Sequence, residues 1–138
     1  MASEETDDRP NVAAAVVVHE GRVLLIRRRV SEGSLRWQFP AGVVEPGEAA
    51  TEAAVREALE ESGLTVAAAQ HLGERVHPAT GCTISYTACY VLAGEAHAAS
   101  PREVAEVAWV ARRELAEYVP DGVHGPVHAY LNKVLSQI

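Results

Sequence analysis

The sequence predicts an α/β fold, a mixed β-sheet flanked by helices, and three observations predict it. Two apolar, β-rich runs stand near the N-terminus, joined by a short Gly-containing link. One long stretch of helix formers comes next, with no Gly or Pro inside it. Three further β-rich runs and two helical segments complete the order β-β-α-β-β-β-α-α, which suits a sheet with helices packed against it. The 138 residues fit one domain, and a 48% hydrophobic content supports a core without disulfide or metal staples. Aromatics reach only 5%, so small and branched aliphatics are expected to fill that core.

Each element has a local reason. Residues 1–10, MASEETDDRP, are acidic and lack the cationic start and apolar run of a signal peptide, so they read as a disordered tail before a domain spanning 11–138. Residues 11–19 and 22–26 flank Glu20-Gly21 as a hairpin. Arg27, Arg28 and Arg29 close its second strand, and 31–36 form a polar loop. Pro40, Gly42 and Pro46 break 37–46 into short extended pieces. Residues 49–63 are helical, with Gly63 as the C-terminal stop and Gly47 or Thr51 as the N-cap. Strands are expected over 66–76, 83–92 and 103–110, with small-residue or Gly-containing loops between them. Residues 112–118 and 123–135 are expected to be helical.

Charge and cysteine content narrow the class. A formal net charge of −7 argues against nucleic-acid binding that depends on phosphate neutralisation. It leaves room for a small phosphorylated substrate, because a bound cation supplies positive charge locally. Cys82 and Cys89 do not form a CxxC pair and read as small buried hydrophobes in a reducing compartment. No stretch approaches the ~20 apolar residues of a membrane span. A cytoplasmic protein without membrane or nucleic-acid partners is the expectation.

The chemistry is concentrated on the 49–63 helix. Glu57, Glu60 and Glu61 are spaced i, i+3 and i+4, so they share one face. Ala54, Val55, Ala58 and Leu59 are expected to dock on the sheet from the other side. Like charges placed this way cost about 0.2–0.5 kcal/mol per neighbouring pair on an exposed helix. A hard dication reverses that cost, since Mg²⁺ and Mn²⁺ prefer carboxylate oxygens and water. Taken alone, the run EALEE also fits a solvated charged face. Gly42, Glu48 and Arg56 at fixed distances before it favour the metal site. A Gly in a tight turn lets a main-chain carbonyl approach an ion. Glu52 and Arg56 have the spacing of a favourable helical ion pair. Arg56 lies one turn before Glu60 and is placed to hold its rotamer.

Together, Gly42-x5-Glu48-x7-Arg56-Glu57-Ala58-x-Glu60-Glu61-x-Gly63-Leu64 resembles the signature of the Nudix hydrolases, G-x5-E-x7-R-E-U-x-E-E-x-G-U. Only Ala58 is smaller than the aliphatic usual at its position. The flanking WQFPAG and the later EVAEVAWV, with Trp109, agree with the family as well. The resemblance implies an α/β/α sandwich and an enzyme that hydrolyses a nucleoside diphosphate linked to another group. Carried onto this chain, it makes Glu57, Glu60, Glu61 and the Gly42 carbonyl ligands of Mg²⁺, with Mn²⁺ as a possible substitute. It gives Glu48 and Arg56 an orienting role. The general base would be Glu60 or Glu61 where not engaged in ligation, with Glu103, placed as a further ligand or base, as the alternative and Glu106 its solvent-facing competitor. Many relatives are homodimers.

Outside the signature the assignments are looser. Arg28 is the expected phosphate contact, since strand alternation places Arg27 and Arg29 on the other side. Phe39 is preferred over Trp37 for stacking on a base, with a core role as its competitor. His124 and His128 have zinc-like spacing but no third ligand, and read as surface residues. His77 is a weaker substrate-contact candidate. Ala79 stands where ADP-ribose-type relatives tend to carry Pro, and Thr80, Gly81 and Cys82 do not supply the Tyr of dinucleoside polyphosphate relatives. The short chain suits a nucleoside triphosphate pyrophosphohydrolase. An ADP-ribose or nucleotide-sugar pyrophosphatase is second, and a non-catalytic nucleotide sensor is the reading from another class.

Overall fold

A computed structural model describes residues 11–29, 35–78 and 80–136. The expected acidic tail, much of the 31–36 loop and Ala79 lie outside the described residues. The elements follow the expected order. β1 (Val12–His19) and β2 (Arg22–Arg29) form the hairpin, and β3 (Leu35–Gln38) and β4 (Ala41–Val43) are the short pieces around Pro40. Then come α1 (Ala50–Ser62), β5 (Thr65–Val76), β6 (Thr83–Ala93) and β7 (Val104–Val110). A 3₁₀ turn (Arg112–Glu114) leads into α2 (Leu115–Tyr118), and α3 (Gly125–Val134) ends the fold.

The sheet is mixed. β1 runs parallel to β6, which pairs antiparallel with β5, while β4 lies antiparallel on the other side of β1. β2 carries β3 and β7 as antiparallel neighbours and joins β1 through the hairpin pairs Val18–Val23 and His19–Arg22. Two cores cover its two faces, completing the α/β/α sandwich. On one, Ala14, Val16, Val23, Leu25, Phe39 and Tyr86 meet Val127 and Leu131 of α3. On the other, Ala13, Ala15, Val17 and Leu24 meet Ala53, Ala54 and Ala58 of α1. The alternation along β1 and β2 sends successive side chains to opposite cores.

The alanines explain the position of α1. Alanine facing alanine lets the helix sit close to β1, with little side-chain bulk between backbones. This rotates the packed face from the one expected. Leu59 is half exposed, whereas Glu57 and Glu61 lie on the buried side, 9% and 2% exposed. The helix starts after Ala49, not at Gly47 or Thr51. Ala49 offers no capping side chain, and the other half of a capping box is present: Glu52 Oε1 accepts the Ala49 N–H at 2.8 Å. That engagement replaces the Glu52–Arg56 pair which the spacing allows. Gly63 ends the helix as expected, at φ 77°, and its N–H donates to Leu59 O.

Candidate active site

The site lies where α1, the β3–β4 turn, the end of β2 and the start of β7 meet. Arg56 is its hub. Its Nε and Nη2 donate to the two oxygens of Glu48 at 2.8 and 3.0 Å, a bidentate pair. Nη2 also donates to Val43 O at 2.9 Å, Nη1 to Glu57 Oε2 at 2.9 Å, and Nη1 again to both Glu60 oxygens at 3.3 Å. One guanidinium thus ties the β4 backbone, Glu48 and two carboxylates of the helix face together. Glu48 also accepts the Glu45 N–H at 3.0 Å. The Arg56 bond, with that backbone donor, holds the Glu48 carboxyl down to about 2. Arg56 is raised in turn, chiefly by Glu48.

Glu57 is packed against β4. A Cβ built on Gly42 would overlap the Glu57 carboxylate, so this side chain occupies the space that only glycine leaves open. Burial raises the Glu57 carboxyl, against the opposing effect of Arg56. Glu61 reaches deeper. Its Oε1 accepts the Ala41 N–H at 2.9 Å and its Oε2 accepts Arg28 Nη1 at 3.0 Å. Burial pushes its carboxyl up to about 7, although the Ala41 N–H and Arg28 favour the charged form. The charges of Glu57 and Glu103 add to the rise. Glu60 is the exposed member of the face.

Glu103 stands just before β7 and is exposed. Its carboxylate makes no hydrogen bond or ion pair with any described residue, yet its charge is felt at both Glu57 and Glu61. The chain therefore brings Gly42, Glu48, Arg56, Glu57, Glu60, Glu61 and Glu103 into one neighbourhood. Glu106 is elsewhere, paired with Arg27 Nη1 at 2.9 Å on the next strand.

Some residues outside the signature are placed differently from expectation. Arg28 lies apart from Arg27, as alternation along β2 expects: the pairing with β3 runs unbroken through both, and the register shift beside them adds a residue on β7. Arg28 is engaged by Glu61, and Arg29 Nε donates to Pro101 O at 3.0 Å. Phe39 is only 8% exposed and packs edge-on against Tyr86, with ring centroids 6.3 Å apart. Its face is committed to the core, which removes the expected base-stacking surface. Trp37 is the half-buried aromatic, beside Tyr118 and under Arg27. His128 is exposed as expected, whereas His124 is half-buried and stacks its ring on Tyr86, with centroids 5.4 Å apart. Arg75 Nε donates to the Tyr86 hydroxyl at 3.2 Å, so Arg75, Tyr86 and His124 form a group that no sequence pattern marks. A 3.6 period could not reveal it, because its members come from β5, β6 and the start of α3. Cys89 is buried as expected, but Cys82 is only half-buried.

The donor set suits a hard divalent cation. All the side-chain donors are carboxylate oxygens, two of them are buried, and burial disfavours their unaccompanied charge. Among the described residues, no three acidic, histidine or cysteine side chains converge on one point as they stand. Arginine holds them instead: Glu57 and Glu60 share Arg56, and Glu61 turns to Arg28. Binding an ion would require small side-chain rotations away from these partners, within a helix face already set by the backbone.

Fold and site define an acidic, arginine-braced cluster on a mixed α/β/α sandwich. The NUDIX domain family model matches residues 8–131, and the chain belongs to the Nudix hydrolase family. It is 46% identical over 57 residues to an RNA pyrophosphohydrolase of Serratia proteamaculans, covering 41% of this chain and 31% of that protein. The corresponding Klebsiella pneumoniae protein is 44% identical over 57 residues. The match thus spans about a third of the length of these curated relatives. Among solved structures, a NUDIX hydrolase from Nitrosomonas europaea aligns at a TM-score of 0.75 with 21% identity, covering 93% of this chain and 73% of that one. A C. elegans Ap4A hydrolase aligns at 0.69 with 19% identity, covering 88% and 93%. At these identities the structural likeness speaks for the fold. No described helix is long and apolar enough to cross a membrane.

Proposed function

We propose that this chain hydrolyses a nucleoside diphosphate linkage with Mg²⁺, and acts first on nucleoside triphosphates to give the monophosphate and pyrophosphate. The observation that carries the proposal is the buried pair Glu57 and Glu61 beside Gly42, cross-braced by Arg56 and Arg28. Two buried, mutually repelling carboxylates are costly in a purely structural helix; a dication gives them a purpose.

In this reading Glu57, Glu60, Glu61 and the Gly42 carbonyl hold the ion. Mg²⁺, or Mn²⁺ in its place, supplies charge neutralisation of the phosphates and a coordinated water of lowered pKa. Glu48 and Arg56 act on the carboxylates: the bidentate bond fixes the guanidinium, which orients Glu57 and Glu60. Glu103 takes the proton from the attacking water, because its carboxylate engages no described residue while those of Glu57, Glu60 and Glu61 are held by arginines. Glu60 is the alternative base, being exposed and only loosely held.

A second reading is supported by the relatives named RNA pyrophosphohydrolase, namely removal of pyrophosphate from the 5′-triphosphate of RNA. The bond broken is the same, and the substrate differs in carrying an RNA chain beyond the first nucleotide. The net charge of −7 favours the small nucleotide. ADP-ribose and nucleotide sugars rank below both, and a nucleotide-sensing module would not require the full set of carboxylates. The test is a substrate panel with Mg²⁺: the nucleoside triphosphates, a 5′-triphosphorylated RNA oligonucleotide, ADP-ribose and nucleotide sugars. Products are read as pyrophosphate, phosphate and monophosphate. Preferred turnover of triphosphates with pyrophosphate release supports the first reading. Binding without turnover of any member favours the sensor.

A further inference from the structure

We propose that Ser100 is a positioning residue for Glu103, setting the distance between that carboxylate and the glutamate-bearing turn of α1. The inference rests on the proposed role of Glu103 as base. Its ground is a set of bonds that join the two parts of the site through the loop between β6 and β7.

The last carbonyls of α1 need hydrogen-bond donors from beyond the helix. The loop supplies them: the His97 N–H donates to Ser62 O at 2.9 Å and the Ala99 N–H to Glu61 O at 3.2 Å. Ser100 Oγ then donates to Glu60 O at 2.6 Å. The Ser100 carbonyl faces the other way and accepts the N–H groups of Glu103 and Val104, at 2.9 and 2.8 Å. Arg29 closes the frame, its N–H donating to Glu103 O at 2.8 Å and its Nε to Pro101 O at 3.0 Å. Ser100 is therefore bonded to the backbone of Glu60 by its side chain and to that of Glu103 by its carbonyl.

Most of these ties are backbone to backbone and survive substitution. The Ser100 hydroxyl is a side-chain bond joining the loop to the glutamate turn, so its loss should leave the fold intact and slacken the spacing. A base must sit within hydrogen-bond reach of the proton it takes, and misplacement by about 1 Å can cost up to ~10²-fold in rate. Slackening one hydroxyl tie is a smaller disturbance.

The test is steady-state kinetics on the preferred nucleotide at saturating Mg²⁺, with thermal unfolding in parallel. Ser100→Ala is expected to lower kcat about tenfold, with KM, Mg²⁺ half-saturation and Tm near wild type. Ser100→Thr, which keeps the hydroxyl, is expected to restore kcat to within about twofold. Glu103→Gln should lower kcat further, and Ser100→Ala should add nothing in that background, because residues acting as one unit are not additive. Wild-type kcat in Ser100→Ala alongside a slow Glu103→Gln overturns the inference and leaves the base assignment standing. Multiplying losses in the double variant also overturn it. Wild-type kcat in Glu103→Gln removes the base assignment and the inference together.

Discussion

Arg28 on β2 donates to the buried carboxylate of Glu61 on α1 at 3.0 Å, and the two residues link the hairpin to the floor of the acidic cluster. Removing the cation leaves Glu61 with the Ala41 N–H alone. Losing one partner of a buried pair costs about 3–5 kcal/mol, and the part-exposed guanidinium argues for the lower end or below. Arg28→Met is therefore expected to destabilise the metal-free protein by ~1–3 kcal/mol at pH 8. Adding Glu61→Gln should recover much of the loss. Urea unfolding of the single and double variants checks this, and a neutral Arg28→Met contradicts it.

Gly42 and Glu57 compete for the same space. In Gly42→Ala the new Cβ meets the end of a flexible side chain, so the carboxylate moves and the backbone need not. Hydrolysis should fall at least about tenfold and the Mg²⁺ requirement should rise, as expected when a ligand is displaced. Far-UV circular dichroism should remain native. An unchanged Mg²⁺ titration would show that Glu57 does not need its position against β4.

Much of this arrangement is legible in the sequence. The spacing from Gly42 to Leu64 places the residues of the site, and Gly63 is readable as the helix stop. The orientation of α1 is not legible. Glutamates at i, i+3 and i+4 share a face, but periodicity alone assigns charge to solvent. Here alanines at positions 53, 54 and 58 allow close approach to β1, which carries Glu57 and Glu61 inward and leaves Leu59 outside. Phe39 misleads because an aromatic before Pro looks the same whether it stacks on a ligand or on Tyr86. The loop over 94–101 reads only as small residues; its capping of α1 depends on backbone groups that sequence does not distinguish.

Metal should stabilise the folded chain. A ligand that binds only the native state adds about 2.7 kcal/mol at one hundred times its Kd. Mg²⁺ or Mn²⁺ should therefore raise the wild-type Tm reversibly, with EDTA reversing the gain. Glu57→Gln and Glu61→Gln should lose most of the rise. Equal metal-induced shifts in wild type and both variants would place the ion elsewhere.

The two thiols should differ in reactivity. Burial pushes Cys89 up to about 12, so it stays a neutral thiol at pH 8, where thiolate is the reactive form. Cys82 is more accessible. Alkylation of the native protein at pH 8, followed by peptide mass spectrometry, should label Cys82 and spare Cys89 until denaturant is added. Comparable labelling of both in the native state contradicts the burial of β6.

The central claim is that the Glu57, Glu60 and Glu61 face is a hydrolytic metal centre. Pyrophosphate release from the preferred nucleoside triphosphate at saturating Mg²⁺ tests it most directly, comparing wild type with Glu60→Gln and Glu61→Gln. Each variant is expected to fold normally and lose at least about a hundredfold in kcat, the scale of metal-site chemistry. Full activity in both variants would contradict the account.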